Sequence, residues 1–408
     1  MRTGSLLLFT TPALLLSSLC LGGPVINIPP STLPNEAFFA ANPGATVNVL
    51  SGETIFPGEV ADPFGFNGAT VNIETGASSG FFTVDHFVED VTYNISGGKL
   101  LRCRLTGSVG STTLNVNSGT AERGLWLLGN TTCVQSGGLV GLTAGGQPAI
   151  RVEDTASFSI SAGTIDNFVL VIDSASFSMS GGTLEKALMI EDDASAVISG
   201  GSTGQDGRLR DIGSTLTVTG GTIGTAFVVE KGVVNMSAGS FGDNSGIING
   251  AGVDPIFNMT GGALGSDFRA FDGTINISGG LVGDGFRLGT PTGDGSGVTL
   301  NLTVKSATLA GVPLMLTSTP TVIFDRGGVF LSCVMLDDSV VGLILNEVSV
   351  FGEDRIRAAA TLTIALAEPC AADLAAPFDG VLNLQDVFAF LALFNAADPA
   401  ADLAAPFG

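Results

Sequence analysis

Along most of this chain apolar and polar residues alternate in short bursts, and each burst closes on a glycine. The phrase runs apolar, Asn/Ser/Thr, apolar, Ser or Thr, small residue, Gly. It appears as Tyr93-Asn94-Ile95-Ser96-Gly97-Gly98, Phe158-Ser159-Ile160-Ser161-Ala162-Gly163 and Ile275-Asn276-Ile277-Ser278-Gly279-Gly280. Alternation with period two marks a strand with one buried face, and the glycines after it supply a sharp corner.

The closing glycines are Gly52, Gly76, Gly98, Gly119, Gly138, Gly163, Gly182, Gly201, Gly221, Gly239, Gly262 and Gly280, covering 228 residues in eleven steps of 18 to 25. Such a period reads as stacked coils of a solenoid. Within a coil a second apolar piece follows the corner, as in Thr222-Ile223 or Ala263-Leu264, and then a third, such as Phe227-Val228-Val229. Three short strands and three corners therefore close one turn.

The fold predicted is all-β: a single-stranded, right-handed parallel β-helix over residues 45–289, with about twelve coils of about 21 residues. At about 4.8 Å per coil the rod is about 55 to 60 Å long. Positions five and three before each anchor should stack into internal ladders of Val, Ile, Met and Phe. Residues 24–44, rich in Pro and Asn, read as an N-terminal cap, because a solenoid must cover its first open edge. Residues 290–367 lose the register but keep strand-like runs at Thr321-Val322-Ile323-Phe324 and Val340-Val341-Gly342-Leu343-Ile344-Leu345, and read as degenerate coils with a β-rich cap.

Composition adds the compartment. Residues 1–23, with Arg2, an apolar run from Leu6 to Leu21 and Gly22-Gly23, have the layout of a secretory signal peptide. The mature protein is expected to be secreted, extracellular or at the cell surface. A formal net charge of −22 argues against nucleic-acid binding. Mean hydropathy is positive, yet beyond the N-terminus there is no apolar run long enough for a transmembrane segment. The hydrophobicity belongs to a long narrow core, which also accounts for 26 Phe beside the single Trp126 and Tyr93. Cys103 lies five residues after an anchor and Cys133 five before one, so the two should face different sides and stay unpaired.

After Glu368-Pro369-Cys370 the chain turns abruptly to Ala, Asp, Leu and Phe. Leu384, Val387, Phe388, Leu391 and Phe394 share one helical face. The phrase from Ala371 to Phe378 recurs from Ala400 to Phe407, an offset of 29 residues. This segment, 368–408, resembles the dockerin repeats at the ends of many bacterial extracellular proteins, calcium loops followed by a helix. The resemblance implies a small α-helical tail that binds calcium and attaches to a cohesin-like or cell-surface protein. It places Asp379 and Gly380 at the central acid and turn glycine, Val381 as a carbonyl ligand, Asn383 as the next oxygen ligand and Asp386 as the closing acid. Ala375 and Pro377 stand where such a loop has its first two ligands, so Asp373 is the substitute. The second copy reaches Gly408 before any equivalent of Asn383 or Asp386.

On the solenoid, Arg208, Arg269 and Arg287 each stand seven residues after an anchor, between apolar neighbours, and should point outward. Arg269 and Arg287 come from adjacent coils and should stack, with Asp206, Asp267 and Asp284 nearby. An Asp and Arg groove on a parallel β-helix resembles that of pectate lyases and polygalacturonases. The resemblance implies an acidic polysaccharide as ligand and carboxylates as acid, base or calcium ligand. The paired acids Asp192-Asp193 and Asp337-Asp338 are present, but the His-Gly and Arg-x-Lys motifs of those enzymes are missing, and no catalytic residue is assigned. A single histidine, His86, excludes multi-His zinc sites and argues against a Ser-His-Asp triad. Asn-x-Ser/Thr sequons occur at Asn94, Asn130, Asn235, Asn258, Asn276 and Asn301; the repeat itself generates most of them, and stacked asparagines should bond from coil to coil.

Two expectations follow. The first is a non-enzymatic scaffold or adhesive surface protein attached through its calcium-binding tail. The alternative is a polysaccharide-active enzyme, or a carbohydrate-binding β-helix acting on acidic glycans.

Overall fold

A computed structural model describes residues 23–28, 38, 41–52, 54–55, 68–79, 86–101, 103–122, 124–141, 148–248, 254–289, 297–347 and 354–367. The described chain is an all-β parallel solenoid of about ten turns with almost no helix. Each regular turn contributes to three ladders. In the first, Thr46 pairs with Thr70, Thr70 with Thr92 and Thr92 with Thr113, and the same register reaches Thr274 and Thr299. The second is built of short steps, such as Leu139 to Thr164 and Thr164 to Thr183. In the third, Leu170 pairs with Met189, and Arg208 with Val228.

The alternation places the core as the sequence predicts. Every residue five or three positions before an anchor, from Val47 and Val49 to Ile275 and Ile277, is at most 2% exposed, the polar Gln135 included. Burying each apolar side chain of this size is worth about 1.5–3 kcal/mol. No surface ion pair approaches that, so these internal ladders dominate stability. Phenylalanines fill the interior between them. Phe227, Phe241, Phe257, Phe268 and Phe286 make consecutive ring contacts at 5.4 to 5.9 Å.

The corners require glycine for two reasons, and Gly262 shows both. Its φ is +90°, and a Cβ there would lie 2.8 Å from the Gly239 carbonyl oxygen and 2.5 Å from the Met236 methyl. Backbone thus rests on backbone from coil to coil, which leaves no room for a side chain. In one rung the roles shift by a residue: Gly97, not Gly98, takes the positive φ, at +96°.

Beyond Gly280 the glycine phrase stops, but the ladder continues. Val298–Leu309 pairs in register with Gly273–Val282. The chain then leaves the solenoid through antiparallel strands Gly327–Met335 and Val340–Asn346. It returns with Arg355 opposite Arg287 and Thr361 opposite Thr299. The tip of this hairpin folds back on the last coils: the Leu336 N–H donates to the Ser278 carbonyl at 2.8 Å, and the Gly280 N–H to the Asp337 carboxylate at 2.7 Å. Asp354, buried at the hairpin's root, accepts N–H bonds from Phe286 at 2.8 Å and Ile344 at 2.9 Å.

Candidate functional site

The third ladder carries the outward residues that the sequence singles out. Phe268 and Ala270 are buried and Arg269 between them is half-buried, so the arginine points outward as expected. Strand pairing aligns Arg269 with Arg287, and Arg287 with Arg355. The same outward column runs the other way through Gly246, Val228, Arg208, Met189, Leu170, Arg151, Trp126 and Arg104. Six of the chain's 16 basic residues thus share one line along the rod.

The predicted face divides in two. Arg208 lies three rungs before Arg269, about 14 Å at the usual strand spacing, so Asp206 and Arg208 do not join Asp267, Arg269, Asp284 and Arg287 in one cluster. Asp206 and Asp267 hold left-handed corner positions, with φ of 63° and 57°. Asp tolerates that backbone better than most residues, and this conformational role explains their recurrence just before the column. The Asp267 N–H donates to the Asp284 carbonyl at 2.8 Å, so Asp284 supports the same corner through its backbone.

Much of the charge here is paired between coils. Arg208 bonds Glu230 at 2.9 Å, and Arg210 bonds Glu191 at 2.6 Å. Arg287 bonds the Asp267 carboxylate. Arg269 sits 5.9 Å from the centre of the Phe271 ring, and Arg355 donates to the Gly289 carbonyl at 3.1 Å. The Arg355 guanidinium is held below its ordinary pKa by burial first, then by the neighbouring positive charges of Arg357 and Arg287.

Residues that sequence reasoning missed lie at the other end of the column. The Arg104 guanidinium stands 3.7 Å from the centre of the Trp126 ring, and Arg151 stands 5.1 Å from it. The Trp126 indole N–H donates to Glu153 at 2.6 Å, and Glu153 also pairs with Arg151. Uneven coil lengths hid this group, because its members stand at different distances from their anchors; the signal was the recurrence of Arg or Trp between two apolar residues.

Aspartates form a ladder of their own. The N–H groups of Gly129, Asp154, Asp173 and Asp192 donate to the carboxylates of Asp154, Asp173, Asp192 and Asp211, at 3.1 to 3.4 Å. The Asp192 half of one acidic pair therefore serves a corner. Asp337, from the other, accepts bonds from the Ser339 hydroxyl, the Ser339 N–H and Gly280. Burial pushes the Asp337 carboxyl up, but these bonds together hold it below the usual carboxylate range.

Among the described residues no group of three or more His, Cys, Asp or Glu is placed to hold a metal ion. The tail residues Asp373, Asp379, Val381, Asn383 and Asp386 lie outside the described residues. Cys133 is a free, buried thiol, which excludes its pairing with Cys103. Burial pushes Cys133 up and takes the free thiol of Cys333 up to about 12. Neither is a reactive nucleophile near neutral pH. No helix of the described chain is long and apolar enough to cross a membrane. No family model, curated protein or solved structure matches this chain.

Proposed function

We propose that the protein is a secreted, non-enzymatic β-solenoid scaffold or adhesive surface protein. In this reading a right-handed rod of about twelve coils is presented by the calcium-binding, dockerin-like tail after Glu368, which attaches it to a cohesin-like or cell-surface partner. The observation that carries the reading is where the outward polar groups spend their bonds. Asn48 bonds Asn27, Asn72 bonds Asn48, Asn258 bonds Asn235 and Asn276 bonds Asn258, each amide to amide at 2.8 to 2.9 Å. The aspartate ladder and the Arg208 to Glu230 pair follow the same logic. Polar side chains that bond the next coil stiffen a rod, and their partners are already supplied.

Two measurements on the full-length secreted chain test this. Incubation with acidic and neutral polysaccharides, with and without calcium, should release no product; turnover abolished by Asp267→Ala would remove the scaffold reading. Calcium titration calorimetry should give heat that Asp379→Asn and Asp386→Asn reduce. Equal heat from these variants, or none from the parent, would leave the tail without its assigned role.

A further inference from the structure

We infer that the outer face of the antiparallel excursion beyond the last coils is the surface through which two copies of this chain form a reversible two-fold dimer. Seven of the thirteen large apolar side chains exposed among the described residues fall between Val312 and Ile344, while the other six are spread from Val25 to Leu281. Strand pairing gathers four of the seven on one surface.

The strands Val312–Pro313, Val298–Leu309, Gly327–Met335 and Val340–Asn346 lie side by side in that order, antiparallel to their neighbours. Alternation turns Ala307, Leu331, Cys333, Val341 and Leu343 into the core, so the residues between them face out, in three rows. Phe330 stands opposite Ile344. Pro313, Thr308, Ser332 and Gly342 follow. The Leu314 N–H donates to the Ala307 carbonyl at 2.9 Å, which carries the register on and sets Met315 beside Ser306, Val334 and Val340. Met315 is 95% exposed, Val340 54%, Phe330 52% and Ile344 38%.

Charge and shape select the occupant. None of these ten outward positions is charged, in a chain with 38 acids and a net charge of −22. Two copies repel one another wherever their acids face, so they come together most readily on a surface of this kind. The face is also flat: Phe330 lies across Gly342, where a Cβ would come within 2.8 Å of the ring. A flat sheet face gives a small ligand no pocket, but it packs well on a second sheet about 10 Å away. The edge of the outer strand is closed at Ile344, whose N–H donates to Asp354 at 2.9 Å, so the contact is face to face. Rows about 7 Å apart on strands about 4.8 Å apart make a surface of about 300–400 Å². That is the low end of specific association, hence a weak and reversible pair. The dimer goes beyond the scaffold reading and does not depend on it.

Sedimentation equilibrium of the full-length chain from about 1 µM to about 1 mM, the span of weak association, should show monomer and dimer and nothing larger, because an isologous contact closes on itself. Sodium sulfate should strengthen the dimer by screening the acids and favouring apolar burial. Met315→Lys and Val340→Lys should each weaken it about tenfold or more by placing an unpaired charge in the contact, although both reduce the net charge that drives copies apart. Ile212→Lys, the same change at a side chain 59% exposed on the coils, should leave it unchanged. Melting temperatures equal to the parent's show that the variants fold. A monomer at every concentration, species larger than a dimer, a dimer kept by both face variants, or equal weakening by Ile212→Lys overturns the inference. Flotation of the parent with phosphatidylcholine vesicles, abolished by Met315→Lys, would assign the face to a lipid surface instead.

Discussion

At the residue scale the corner glycines and two aspartates carry the clearest consequences. Gly262→Ala places a methyl at φ +90° and against a carbonyl oxygen. Strained backbone of this kind costs about 1–3 kcal/mol, and the clash adds to it, so denaturant unfolding should show a loss of about 2–4 kcal/mol. Asp337 and Asp354 titrate in opposite senses. Asp337 is held low, so its contribution is present above the unfolded carboxylate range and is lost as pH falls through its depressed value. Asp354 is held high by burial, against its backbone hydrogen bonds. Its contribution is complete below the unfolded value and is lost as pH rises through the raised one. Asp337→Asn should therefore cost stability at neutral pH and flatten the acid limb of a melting-temperature profile. An acid limb identical to the parent would remove this role.

At the scale of the element, the first ladder combines a buried aliphatic and aromatic face with an outward line of asparagines. The sequons at Asn94, Asn235, Asn258, Asn276 and Asn301 all belong to this line. Asn258→Ala, which breaks two amide contacts, should cost about 1 kcal/mol, the usual net worth of a hydrogen bond. Phe257 lies one residue earlier on the opposite face and touches the rings of Phe241 and Phe268. Phe257→Ala should cost about 3–5 kcal/mol. Arg208→Ala, on a side chain 43% exposed, should cost less than about 1 kcal/mol. Equilibrium unfolding of the three variants checks the order, and a reversal of Phe257 and Arg208 would contradict the view that the core dominates.

At the scale of the whole molecule, stability is a sum over neighbouring coils. The hairpin that leaves the rod after Leu309 is tied back at Ser278, Gly280 and Phe286, so it braces the coils that carry Arg269 and Arg287. The buried positions, corners and three-strand turn were legible in the sequence, because period-two alternation and positive φ are properties of a few adjacent residues. The outward stacking of Arg269 on Arg287 was legible too, since both stand seven residues after their anchor glycines. Arg355 was not, because an excursion separates it from Arg287 by 68 residues. Nor was the convergence of Arg104 and Arg151 on Trp126, whereas the three coils between Arg208 and Arg269 could be counted on the anchors Gly201, Gly221, Gly239 and Gly262. By itself the sequence determined a rod of coils with an apolar interior. Only the tertiary structure decided which charges share a column: coil lengths vary, and hydrogen bonding between strands, not residue counting, sets the register.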